Sequence, residues 1–429
     1  MSADVIVIGA GYSGLTAGAI LAHNGMKVEV LEATGHMGGR SAYDRKDGFL
    51  VDYGVHLNSY GPRGPAAIAL RMIGHEIDFI SLGRPALFIE GEFTTMPTGV
   101  GSFLANRFIS SSDKFWIGHG VRKIFLRSTT RLADVPLKDA VPRIDHEPVR
   151  NFYRLLSGLG LVAPDIEVAS AGEFVKFLRR ALKAREQVAY PRHGTSQIIE
   201  ALSKKIKENG EIQLNSRVKA LEIDGGKVKS VKIKDRELTA PVILHAAPVQ
   251  GLPDIVGDAL PVRYRKQCSS IIPTAGLSID LCLNKKVSDI DGFIITNEPF
   301  AIGQITSNVD PSTAPEGKQL VTFCNPLPLE TMNDRALLDD AQEKFIGLLE
   351  RMFPGIMDDV QWERILRLKM IDGFEPRIGQ TIKDRPALKV PYVDNLFLAG
   401  DAVAVEGHGG DVAFQSGIQA AEQILAFSR

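Results

Sequence analysis

Nothing in this chain limits its fold more than the stretch Val5-Ile-Val-Ile-Gly9-Ala-Gly11-Tyr12-Ser13-Gly14, with Glu32 eighteen residues further on. Four β-branched residues in a row read as a buried parallel strand. The glycines after them permit a tight turn, close approach of backbone to a pyrophosphate, and close packing of the next helix on the sheet. That helix opens at Tyr12 and Ser13, so its free N–H groups and positive dipole end face the phosphates. It runs to His23, where Asn24-Gly25 supplies a left-handed stop. Lys27–Leu31 then reads as the second strand, and Glu32 at its end is placed to accept the hydroxyls of an adenosine ribose.

Composition narrows what can surround this unit. At 429 residues the chain is too long for one hydrophobic core, so at least two domains are expected. Lys+Arg 50 against Asp+Glu 51 give no electrostatic reason to expect a nucleic acid partner. Cys268, Cys282 and Cys324 show neither CxxC nor metal-ligand spacing, which predicts free thiols, a cytoplasmic chain and no metal site. The first strand starts so close to Met1 that no signal peptide is expected, and no apolar run approaches transmembrane length.

After Glu32 comes Gly35-His-Met-Gly38-Gly39-Arg40-Ser41. Adjacent glycines expose backbone amides and Arg40 adds a fixed charge, so this is either a second phosphate-facing loop or an ordinary surface turn. Phe49–Asp52 reads as a short strand running into Gly54-Val55-His56. The order GxGxxG, Glu, GGR, strand and Asp-x-Gly resembles the FAD-binding start of the amine oxidase and phytoene desaturase superfamily. The resemblance implies an α/β protein with a discontinuous Rossmann-like FAD-binding domain and a mixed α+β substrate domain, an antiparallel sheet with helices. It implies FAD contacts at Gly9, Gly11, Tyr12, Ser13, Gly14, Glu32, Gly38, Gly39 and Arg40. The corresponding bounds are 1–60, 190–250 and 389–429 for the FAD domain, with 61–189 (helical) and 251–388 (sheet) for the substrate domain.

Between residues 61 and 189 the pattern is helical, broken by prolines. Ser112–Leu126 carries Ile117, Val121 and Ile124 on one face, with Phe115, Trp116 and Phe125 nearby and basic residues around them. Such a basic, aromatic amphipathic stretch, 112–131, suits either peripheral contact with a membrane or a packed helix with a solvated face, and Gly118 and Gly120 count against a helix. Thr195 or Ser196 is expected to cap a helix ending near Lys207. Ile212–Val242 reads as strands with a hairpin at Asp224-Gly225-Gly226. By resemblance the backbone at Val218 meets the adenine. Ser269–Asn284 alternates as a half-buried antiparallel strand, which Gly292–Ile305, Gln319–Cys324 and Gln361–Met370 can extend into a sheet. Arg335–Phe353 is an amphipathic helix.

The second strong signal closes the chain: Asn395-Leu-Phe-Leu-Ala-Gly400-Asp401, then Glu406-Gly-His408-Gly-Gly410-Asp411-Val412. A strand ends at Gly400-Asp401, and a glycine turn opens a helix near Asp411. Asp401 is placed to hydrogen-bond a ribityl or phosphate group, and the helix N-terminus favours negative charge on a reduced flavin. By resemblance this stretch, with Gly400, Asp401, Gly410, Asp411 and Val412, completes the FAD site. No cysteine lies near these motifs, so FAD is expected to be held non-covalently.

A flavin carries the redox chemistry, so the expected reaction is transfer of a hydride or electron pair between a substrate carbon and FAD. The turn Glu406–Gly410 lacks the aromatic residue that amine oxidases place against the flavin. The resemblance therefore runs toward phytoene desaturase-related enzymes, which act on long apolar prenyl or polyene chains, so the expected partner is a small apolar substrate. The alternatives are an amine or porphyrinogen oxidase and a non-enzymatic prenyl-binding escort protein of the same fold. The sequence leaves the electron acceptor open, with a quinone and dioxygen as candidates. His408 is the acid–base candidate, with Glu406 and Asp411 either orienting it or capping the helix. His56 is a weaker candidate, and His193 reads as structural.

Overall fold

The computed structural model describes residues 3–97, 99–184, 188–234 and 236–428. Its nucleotide-type half is a five-stranded parallel sheet, ordered Glu211–Gln213, Val28–Leu31, Val5–Ile8, Val242–His245 and Leu396–Leu398. Both Val5–Ile8 and Val242–His245 are buried along their full length, as a parallel strand covered on two faces must be. Val5 and Val7 face a core built with the helices Tyr12–His23, Gly194–Lys207 and Gly410–Phe427. Ile6 and Ile8 face a second core built with the meander Val218–Leu238, whose hairpin turns at Gly225 and Gly226, both at positive φ.

The helices at the two ends of the chain lie side by side and run the same way. Tyr12 stacks on Phe414 at 4.4 Å between ring centres, and a Cβ on Gly417 would come 2.7 Å from the Ser13 carbonyl and 2.9 Å from Thr16 Cβ. The register 12 with 414 and 16 with 417 brings both helix N-termini to the same edge of the sheet.

The other half is a seven-stranded mixed sheet, ordered Val360–Leu368, Ala275–Leu283, Gln319–Leu327, Phe300–Ile305, Ile294–Asn297, Ala86–Ile89 and Glu92–Thr95. Two strands come from the stretch read as helical, because Ala86–Ile89 pairs parallel with Ile294–Asn297. The rest of that stretch is a helical layer with its own core around Ile117, Tyr153 and Phe174. Ser111–Phe125 is a helix despite its glycines. A Cβ on Gly120 would sit 2.5 Å from the Tyr153 hydroxyl, which donates to the Ile117 carbonyl, so this glycine admits a close crossing.

Ala275–Leu283 is buried at all nine positions and is not half-buried as its alternation predicts; the residues before it form the helix Val262–Ser269. Its polar face is covered by the hairpin Tyr43–Lys46 and Phe49–Asp52 of the nucleotide half. There Arg364 Nε and Nη2 donate to Asp280 Oδ2 at 2.9 and 2.8 Å, while Nη1 donates to Asp44 at 2.7 Å and Nη2 to the Asp52 carbonyl at 2.6 Å. Thr322 Oγ1 donates to the other Asp280 oxygen. Asp52 in turn accepts from Thr195 N–H, Thr195 Oγ1 and Tyr190. The helix Gly194–Lys207 is thus capped from across the chain by Asp52, not by Thr195 or Ser196. Ser196 instead donates back to the His193 carbonyl, and His193 sits at φ 60° with Asp310 and Ser312 as partners.

Removing one partner of a buried pair leaves the other charge stranded, at a cost of about 3–5 kcal/mol. Arg364→Met is therefore expected to lower stability by that order in chemical denaturation, and adding Asp280→Asn should recover much of the loss. Equal stability of Arg364→Met and the parent would mean that this pair does not brace the two halves.

Candidate active site

Three backbone segments converge where the two parallel helices begin. Gly9, at φ 104°, turns the chain so tightly that a Cβ would lie 3.0–3.1 Å from the backbone of Ala246 and Ala247. At Gly14 a Cβ would lie 2.0 Å from the Gly9 carbonyl. Gly11 differs: it has an ordinary φ of −76° and nothing within 4 Å of where a Cβ would point. Gly410 is open in the same sense, and Gly400 has the same free space at a φ of 143°. Two glycines thus serve the fold, and three border an open groove beside the helix N-termini, where backbone N–H groups can take phosphates. Tyr12 and Ser13 turn their side chains into the core, so only their backbone is available to the groove.

The Gly38-Gly39 loop is laid across the first one by the Gly38 N–H bond to the Ala10 carbonyl and a bridge between Gly11 and Gly38. Arg40 then reaches the far end of the chain. Its Nη1 and Nη2 donate to Asp401 Oδ2 and Oδ1, both at 2.7 Å, and Nη1 also donates to the Ile371 carbonyl. Burial alone would raise the Asp401 carboxyl, but Arg40 and the Gly373 N–H outweigh it and hold Asp401 below its ordinary value. Both Asp401 oxygens are therefore engaged by Arg40, and Asp401 acts on the groove through that guanidinium.

Glu32 closes the other end. Its Oε2 accepts from Ala10 N–H at 2.8 Å and Oε1 from Thr34 N–H and Oγ1, which fixes the carboxylate beside the first turn. The Glu32 backbone bonds to Gln213 and Ser216, so the chain entering the strand at Val218 is wrapped against it. Val218 itself is buried.

The histidines separate. His56 Nε2 bonds the Tyr53 carbonyl, closing the turn after its strand, and burial lowers its proton affinity. His408 receives an N–H from Arg180 Nη2 at its Nε2, 3.2 Å away. A guanidinium only donates, so Nε2 is the acceptor, the ring is neutral and Nδ1 carries the proton. That Nδ1–H is buried without a partner among the described residues. The carboxylates expected to orient His408 are used elsewhere: Glu406 pairs with Lys176, and Asp411 is bonded by Ser59. Burial pushes Asp411 up to about 6.

Two residues of this region escaped the sequence reading. Arg180 lies in the helix Ala171–Ala184, 228 positions from His408, and nothing local sets it apart from other helical arginines. Asp372 follows the last strand of the seven-stranded sheet and is pinned through its backbone to Thr274. A Cβ on Gly409 would sit 3.2 Å from its Oδ1, so the carboxyl abuts the turn that opens the closing helix. Burial, then the Asp401 charge, push Asp372 up to about 7 against the pull of Arg40. Among the described residues no group of His, Cys, Asp and Glu forms a metal site.

A parallel sheet with two convergent helix N-termini, an open glycine groove and a fixed Arg–Asp clasp defines a flavin-dependent oxidoreductase. The chain belongs to the flavin containing amine oxidoreductase family, whose model matches residues 12–425. It is 24% identical over 404 residues to a coproporphyrinogen III oxidase of Staphylococcus aureus, covering 83% of this chain and 84% of that one. It is 24% identical to a phytoene desaturase of Fusarium fujikuroi, covering 88% and 75%. An oxidoreductase from Methanosarcina mazei has the same fold, with a TM-score of 0.79 at 21% identity over 97% of this chain and 99% of that one.

Two measurements check this site. Gly11→Val should fold as the parent does yet purify without the yellow of a flavin, whereas Gly14→Ala should lose stability first; a yellow Gly11→Val protein would place the phosphates elsewhere. Asp372 binds its proton more tightly folded than unfolded, so its ionisation erodes stability as pH rises from about 4 to 7. Flavin-free Asp372→Asn should melt with the parent at pH 4 and a few degrees above it at pH 8. A constant difference across that range would remove the unpaired carboxyl from the account.

Proposed function

We propose that this chain is an FAD-dependent oxidoreductase of the phytoene desaturase-related type, moving hydride between a small apolar, prenyl- or polyene-like substrate and non-covalently held FAD. The observation that carries it is the turn Glu406–Gly410. It brings no aromatic ring to the groove, and its one functional side chain, His408, is held neutral by Arg180. FAD supplies the hydride chemistry when bound. Glu32 would hold its ribose, the amides around Gly11 and Gly39 with Arg40 its pyrophosphate, and the start of the helix Gly410–Phe427 its ring. The family likeness and the open glycine groove support this placement. Burial pushes the thiols of Cys282 and Cys324 up to about 12, which makes them poor nucleophiles for a covalent flavin link. His408 serves as a hydrogen-bond donor through Nδ1, because a proton shuttle at Nε2 would first have to displace Arg180.

One observation favours a second reading. Arg180 forms no ion pair with a carboxylate among the described residues, Asp411, Glu173 and Glu406 acting on it only from a distance, and it touches the flavin-side turn. A guanidinium there suits a substrate bearing carboxylates, as a porphyrinogen does. Reoxidation of the photoreduced protein by dioxygen, followed in a stopped-flow instrument, separates the two. The desaturase-type reading expects a reduced flavin that persists for minutes; reoxidation within seconds would overturn it in favour of the oxidase. A protein that takes up no FAD even when FAD is supplied would leave only the escort reading.

A further inference from the structure

We propose that the helical layer docks this protein on an anionic lipid surface through the outer face of the helix Ser111–Phe125. The inner face of that helix is buried at Asp113, Ile117, Gly120 and Ile124, a stripe at spacings of three and four. The opposite stripe holds Phe115, His119, Arg122 and Leu126, all exposed, with Phe115 at 63% and Leu126 at 73%. Two neighbours widen the apolar surface. The short helix Val100–Ala105 is tied in by Lys114, whose Nζ donates to the Leu104 carbonyl at 2.8 Å, and it exposes Val100 and Leu104. The helix Ala171–Ala184 is tied to the other end by Arg179, which donates to the carbonyls of Phe125 and Arg127, and it exposes Leu182. Of the twelve large hydrophobic side chains exposed among the described residues, five lie on these three tied helices or at their ends, so the exposure is concentrated and not the usual scatter.

Charge chooses the occupant. Between residues 100 and 133 lie Arg107, Lys114, Arg122, Lys123, Arg127 and Arg131, against the single acid Asp113. Asp113 is buried and occupied by Ser110 and His146. The chain as a whole carries a net charge of −1, so this basic excess is local. Exposed aromatic and aliphatic side chains ringed by Lys and Arg match an interfacial helix, its apolar groups entering the acyl boundary and its cations meeting anionic headgroups. The same helix that exposes Leu182 carries Arg180, two residues away, to His408, so one helix reaches both this surface and the flavin-side turn.

The test is sedimentation of the flavin-loaded protein with vesicles of phosphatidylglycerol and phosphatidylcholine, and with phosphatidylcholine alone. The parent should partition onto the anionic vesicles and come off as salt is raised. Arg122→Glu with Lys123→Glu should weaken that binding by roughly fivefold for each positive charge removed. Phe115→Ser with Leu126→Ser should weaken binding to both kinds of vesicle. All four positions are exposed, and flavin absorbance and melting curves are expected to match the parent. The proposal fails if the parent stays in the supernatant, or if charge reversal leaves anionic binding unchanged. It also fails if sedimentation without lipid shows a dimer that Phe115→Ser with Leu126→Ser abolishes, since the face would then cover a second copy.

Discussion

The segments that meet at the glycine groove from opposite ends of the chain are fastened by one ion pair, Arg40 with Asp401. The two residues are 361 positions apart, and their bidentate contact joins the second glycine loop to the end of the last parallel strand. The same guanidinium takes the Ile371 carbonyl, and the same carboxylate takes the Gly373 N–H, so the exit of the seven-stranded sheet is fastened to the clasp as well. A charge pair this well bonded resists the desolvation cost that would otherwise make it a liability. It also sets the electrostatics of the groove, since Asp401 is spent on Arg40 and leaves the backbone amides and helix ends to face an anion.

The clasp has a cost nearby. Asp372, next to Ile371, is carried in beside Asp401 with no hydrogen-bond partner for its carboxyl among the described residues, and burial with a like charge favours its neutral form. The helix Gly410–Phe427 begins at the same place. A proton on Asp372 would leave the positive end of that helix free to favour another anion.

On the substrate side, the helix Ala171–Ala184 ties the surface of the helical layer to the flavin-side turn. Within a few residues it exposes Leu182, anchors the end of the helix Ser111–Phe125 through Arg179, and sets the tautomer of His408 through Arg180.

By itself, the sequence determined the parts whose signals are local. The strand–glycine–helix unit from Val5 to His23, the hairpin at Gly225-Gly226 and the strand and helix around Asp401 follow from backbone sterics and buried periodicity within a few residues. What only the tertiary structure decided are the pairings between distant segments. Ala275–Leu283 alternates like a half-exposed strand, and only the hairpin packed on its polar face, with Arg364 bonded to Asp280, reveals it as buried on both sides. Asp52 caps a helix 143 positions away, and Arg180 assigns the proton on His408. No periodicity encodes such partners. A buried charge or an orphaned N–H must find whichever group the folded chain brings within about 3 Å, and that choice is made by packing.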